Sequence, residues 1–114
     1  MNRVDDNTPV TVICRYQVKL GQGDAMEALL RRHWRGLREV GLVTDTPVRI
    51  FRGVPSDKPG EAQGAARTYV EIFEWVSARA PQIAHETPAV MAVWESMGAL
   101  CEHMDFPHYE PLAL

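Results

Sequence analysis

The segment Thr68–Trp75 (TYVEIFEW) is apolar on both faces of a strand, and that property leaves few architectures open to the chain. Strand side chains alternate between two sides, so Tyr69, Glu71, Phe73 and Trp75 share one face while Val70 and Ile72 occupy the other. An antiparallel strand usually turns one polar face to water, so a strand apolar on both sides needs two covers. Part of the cover is written nearby. Val10, Val12, Cys14, Tyr16 and Val18 alternate with Thr11, Ile13, Arg15, Gln17 and Lys19, which predicts a companion strand with one clean apolar face. Residues 48–52 predict a further strand.

A helix follows the first strand. Asp24 and Glu27 have capping-box spacing, which predicts Asp24 as the cap. Met26, Leu29, Leu30, His33, Leu37 and Val40 recur at helical intervals as one stripe, opposite Arg31, Arg32, Arg35 and Arg38. Gly41 stands where a left-handed terminating residue belongs, with Leu42 as its hydrophobic clasp. Residues 53–67 hold three glycines and two prolines, the composition of a long exposed connection. Ser77 is expected to open a second helical region that breaks at Thr87-Pro88, where proline suits a first helical position. A short piece over 78–86 then precedes a longer helix running from 88 to about 102, with Val90, Met91, Trp94, Met97 and Cys101 on its inner stripe. Pro107 and Pro111 restrict the tail, 105–112, to a short edge strand or an extended arm.

The element order is β-α-β-β-α-β. It predicts an α+β, ferredoxin-like sandwich: a four-stranded antiparallel sheet with two helices on one face. At 114 residues the chain is one domain, spanning 9–114 after a flexible N-terminus of residues 1–8. The apolar residues left on the bare sheet face predict a second copy of the chain, giving a homodimer through that face and the C-terminal segment.

Composition removes several function classes. Twelve basic residues against fifteen acidic ones leave a net charge of −3, with no cationic excess to attract a nucleic-acid backbone. No apolar run approaches the roughly 18–20 residues that cross a bilayer, and the N-terminus has no leader-like apolar core, so a cytoplasmic location is expected without membrane partners. Cys14 and Cys101 lie in apolar segments and read as core residues rather than a disulfide framework. There is no GxGxxG, GxxxxGK[ST] or GxSxG, hence no nucleotide or serine-hydrolase motif. His85-Glu86 and Glu102-His103 are adjacent pairs that diverge on a helix, and HExxH is absent, so no metal site is expected.

The run from Tyr69 to Trp75, then Ser77, Ala84-His85, Thr87-Pro88 and residues 90–94 resembles the antibiotic-biosynthesis-monooxygenase-like domains. The opening strand VTVICRYQVKLGQG and the closing His108-Tyr109-Glu110 suit the same layout, so the resemblance spans residues 9–112. It implies a dimeric α-β barrel. The superfamily includes cofactor-independent quinone-forming monooxygenases, haem-degrading enzymes and isomerases. Haem-degrading members pair a helical histidine, which His85 would match, with an asparagine on the first strand. Here the only asparagines are Asn2 and Asn7, outside that strand, so no cofactor is expected and haem through His85 is a minor alternative.

Histidine works as a base near neutrality, which makes His85 and His33 the catalytic candidates. His85 precedes the helix break, where backbone groups lack partners, and with Trp75 would form a pocket mouth. Tyr16, Trp94, Met91, Glu71 and His108 complete the expected pocket, which suits a small apolar or aromatic ligand. Glu71, if buried among aromatic side chains, is expected either to have a raised pKa or to pair with an arginine such as Arg15 or Arg49. Two functions are thus expected: a cofactor-independent monooxygenase or related enzyme acting on an aromatic or polyketide-like substrate, or a non-catalytic dimer that binds a small ligand or serves as an accessory protein.

Overall fold

The computed structural model describes residues 7–55 and 67–114. Most of the 53–67 connection and of the N-terminal segment lies outside the described residues. The elements are β1 (Val10–Val18), α1 (Gly23–Glu39), β2 (Arg49–Arg52), β3 (Thr68–Trp75), α2 (Ala80–His85), α3 (Pro88–Leu100), β4 (Cys101–Asp105) and β5 (His108–Tyr109). The strands form one antiparallel sheet in the order β2-β3-β1-β4, with β5 also paired to β1. This is the α+β ferredoxin-like arrangement, with an added short fifth strand.

Register follows from the alternation. Val12, Cys14, Tyr16 and Val18 of β1 and Tyr69, Glu71, Phe73 and Trp75 of β3 are buried, and pairs such as Cys14–Glu71 and Tyr16–Tyr69 stand directly opposite. A slip of one residue would turn this whole set to the other side, so burial of one face pins the pairing. The helices cover that inner face. Met26, Leu29, Leu30, His33 and Leu37 of α1, Ala80 and Ala84 of α2, and Val90 and Met97 of α3 pack against it. Each large apolar side chain so buried contributes about 1.5–3 kcal/mol.

Helix ends differ in part from the sequence reading. Helix α1 starts at Gly23 with no side-chain cap, so Asp24 does not close a capping box. Glu27 is engaged elsewhere: it accepts from Tyr69 Oη at 2.7 Å and pairs with Arg52 Nη2 at 2.7 Å. A charged partner on β2 and a phenol on β3 outcompete a backbone N–H. The C-terminal end is as expected. Gly41 has φ +77°, Leu42 N donates to Leu37 O and Gly41 N to Arg38 O, the paired bonds of a Schellman turn. Val40 is the capping residue and is exposed, outside the buried stripe.

The second helical region is broken at the expected place, but Ser77 does not open it; α2 begins at Ala80 after a turn in which Ser77 Oγ accepts from Arg79 N. Thr87 occupies the N-cap position of α3, yet its hydroxyl donates backwards to Ile83 O at 2.7 Å and ties the two helices together. The expected end of α3 is corrected. The helix stops at Leu100, and Cys101–Asp105 is β4, so Cys101 is not part of the helical stripe. Its backbone is already extended, with ψ 145°, because β1 offers a ladder of partners from Val18 to Arg15.

Candidate functional site

Between the inner sheet face and helices α2 and α3 lies a cavity of about 350 Å³, within the range of small-molecule sites. Its floor is Val12, Cys14, Tyr16, Phe73 and Trp75 from β1 and β3. Its roof is Pro81, His85, Met91, Trp94, Glu95 and Met97, and one end is bordered by Met104, Phe106 and His108, the last two exposed. Strand alternation explains the floor, since every second residue of two paired strands projects into the same space. The helix break explains the roof, because it turns α2 and α3 so that both contribute to one wall. The aromatic side chains meet edge to face: Phe73 on Trp75 at 5.1 Å, Tyr16 on Phe106 at 5.9 Å, and His85 on Trp94 at 4.9 Å.

Polar atoms are few and closely linked. Glu71 is completely buried beneath the floor. It accepts from Tyr16 Oη at 2.8 Å, and His33 Nδ1 lies 2.9 and 3.1 Å from its two oxygens. On the far side of the imidazole, Trp94 Nε1 donates to His33 Nε2 at 2.8 Å. Four elements are thereby joined by a chain running Tyr16–Glu71–His33–Trp94. Burial, followed by the Glu71 charge, raises the Tyr16 phenol well above its ordinary range, and burial together with Glu71 raises the Cys14 thiol likewise. Both groups therefore stay protonated at neutral pH. Trp75, 4% exposed, carries a buried indole N–H without a hydrogen-bond partner.

The structure places most of the expected pocket residues around one cavity. Trp75, Tyr16, Trp94, Met91, His85, His33 and His108 all line the cavity, with Glu71 directly behind Tyr16. The expected arginine partner of Glu71 is corrected. Arg15 lies on the opposite face and pairs with Asp105 at 2.8 Å, while Arg49 stacks on Phe51 at 4.9 Å. Partner choice follows from the pleat, which puts Tyr16 and not Arg15 on the side of Glu71. Pro81, Glu95, Met104 and Phe106 were not singled out by sequence reasoning. Phe106 carries a signal, an aromatic residue next to Pro107 in the proline-bearing tail. Among the described residues, no group of three His, Cys, Asp or Glu side chains converges as a metal would require.

The same helix-covered antiparallel fold is found in solved structures of antibiotic-biosynthesis-monooxygenase-like proteins. SnoaB from Streptomyces nogalater, a cofactor-independent oxygenase, superposes with a TM-score of 0.71 at 18% identity, over 94% of this chain and 96% of its own. Rv0793 from Mycobacterium tuberculosis gives 0.68 at 18% identity, over 94% and 98%. A protein described as an antibiotic biosynthesis monooxygenase also gives 0.68 at 18% identity, over 91% and 99%. No protein-family model matches the sequence, and neither does any curated protein. The likeness is one of fold over nearly the whole length of each chain.

Proposed function

We propose that the chain is a cofactor-independent monooxygenase acting on a flat aromatic or polyketide-like substrate. The observation that carries this reading is the cavity of about 350 Å³, lined by Phe73, Trp75, Trp94 and Phe106 with the His85 imidazole on its helical wall. The fold shared with SnoaB, described as a cofactor-independent oxygenase, supports the same class.

In this chemistry the substrate is its own reductant. A ring methylene flanked by conjugating groups loses a proton, and the stabilised carbanion passes electrons to dioxygen. One oxygen atom becomes the new carbonyl; the other leaves as water with the two methylene hydrogens. The protein's share is a dry, oriented cavity and a base. His85 is that base, because it lines the cavity and, among the described residues, its imidazole makes a ring contact with Trp94 and no hydrogen bond. His33 has both ring nitrogens engaged, by Glu71 and Trp94, and serves to hold them.

The test is oxygen uptake and quinone absorbance with 1,8-dihydroxyanthrone as substrate. The wild type is expected to exceed the protein-free rate, and His85→Ala to lose roughly 10²-fold or more while remaining folded. Uptake no faster than without protein overturns the reading. Full activity in His85→Ala reassigns the base. The alternative, a non-catalytic ligand-binding or accessory protein, is favoured by the engagement of both His33 nitrogens. It is recognised by anthrone binding without oxygen uptake.

The same reading includes a homodimer. The outer sheet face presents Ile13, Val70 and Ile72, with Phe51 44% exposed beside them. Such a patch suits a second sheet packed face to face. Light scattering is expected to give twice the chain mass, and Ile72→Arg to halve it; a monomeric wild type overturns the assembly.

A further inference from the structure

The protons of the buried chain can be assigned from donor and acceptor inventory alone. An indole nitrogen donates and cannot accept, so its contact with Trp94 makes His33 Nε2 the acceptor. The imidazole is therefore the neutral tautomer with its proton on Nδ1, and that proton goes to Glu71. Glu71 also receives the Tyr16 hydroxyl proton. Every strong donor in the chain is thus committed within it. Towards any third group, Tyr16 Oη has only a lone pair to offer.

We propose that this arrangement makes the Tyr16 end of the cavity a hydrogen-bond acceptor, selecting ligands that carry a hydroxyl or N–H over ligands whose polar atoms only accept. Tyr16 meets the ligand, and Glu71 is the positioning residue that fixes the direction of the Tyr16 proton. The inference rests on the cavity being a ligand site, as proposed above. A phenol or enol completes the chain by donating to Tyr16 Oη. An ether or quinone oxygen in the same place faces oxygen with oxygen and leaves both unpaired. An oxidised ligand that has lost its hydroxyl hydrogen is held less tightly than its reduced form.

The surroundings of Glu71 contain little that would disturb this polarity. From β1 it faces Cys14 and Tyr16, from α1 His33, and across the β2 pairing Ile50. Helix α3 reaches it only through Trp94 and His33. Among the described residues, the side-chain hydrogen-bond partners of Glu71 are Tyr16 and His33, neither an arginine nor a lysine.

The experiment is isothermal titration of the full chain at pH 7 with 2-naphthol and with 2-methoxynaphthalene. The two probes have the same ring system and differ in one donor proton. The wild type is expected to bind naphthol roughly tenfold more tightly or better. Tyr16→Phe is expected to bring the two affinities within about twofold, and Glu71→Gln, whose amide can itself donate to Tyr16, to reduce the ratio. Circular dichroism checks the fold of each variant, and the wild-type ratio decides the matter if a variant unfolds. Equal binding of the two probes by the wild type overturns the inference and leaves the ligand site standing. An unchanged ratio in folded Tyr16→Phe or Glu71→Gln removes that residue's part. Binding of neither probe overturns the ligand site and the inference with it.

Discussion

Glu71 and Asp105 are carboxylates on strands flanking β1, and they face opposite sides of the same sheet. Glu71 stands across from Cys14 and is fully buried, held by a phenol from β1 and an imidazole from α1. Asp105 stands across from Arg15, with the pair's side chains 37% and 58% exposed and a 2.8 Å contact between them. By contact distance the two look equally strong. Their surroundings separate them: a charge in the dry interior depends on every partner it has, whereas one in water is solvated whether or not its partner remains.

The difference predicts a wide gap in stability. Glu71→Ala leaves the His33 and Tyr16 donors facing an apolar void, and a loss of about 3–5 kcal/mol is expected in urea unfolding. A loss below about 1 kcal/mol would mean that water reaches the chain and that the inner face is not dry.

Acid should separate a second site from the buried network. The Tyr69 hydroxyl, and after it Arg52, hold the Glu27 carboxyl below its usual range. A folded pKa below the unfolded one contributes stability that is present above the unfolded value, about 4.3, and is lost as pH falls through the folded value. Stability is therefore expected to fall on acidification from about pH 5 to pH 3, and less steeply in Glu27→Gln. Asp105, held low by Arg15, adds to the same slope. Thermal melts across that window check the sign; a slope identical in wild type and Glu27→Gln would place the acid sensitivity elsewhere.

The smallest effect is expected on the outer face. A double-mutant cycle on Arg15 and Asp105 should return a coupling close to zero, because water screens an exposed pair. A larger value would show that the pair is shielded from water in solution, as a covering second sheet would do. The same measurement thus sharpens both the contrast between faces and the proposed dimer.

Much of this contrast was legible in the chain. The two-residue alternation over β1 and β3 assigns each side chain to a face, so the cavity floor of Cys14, Tyr16, Phe73 and Trp75 follows from sequence. The break at Thr87-Pro88 and the turn at Gly41 are equally local, because proline and a left-handed glycine act on their own backbone. Strand β4 was not legible in the same way. Residues 101–104 continue the apolar spacing of α3, and their extended backbone depends on the ladder that β1 presents. The cap of α1 failed for a related reason, since Glu27 was drawn to Arg52 and Tyr69, respectively 25 and 42 residues further along the chain.

Sequence by itself determined β1, α1, β2, β3 and the broken helical region, their order and the face on which their side chains lie, because those depend on backbone period and local turn chemistry. Only the tertiary structure decided which polar atoms meet. His33 and Glu71 are 38 residues apart and His33 and Trp94 are 61 apart, and nothing in the spacing of either pair announces a hydrogen bond. The direction of each proton in that chain was decided there too, since it follows from an indole that can only donate, placed 2.8 Å from a nitrogen that must then accept.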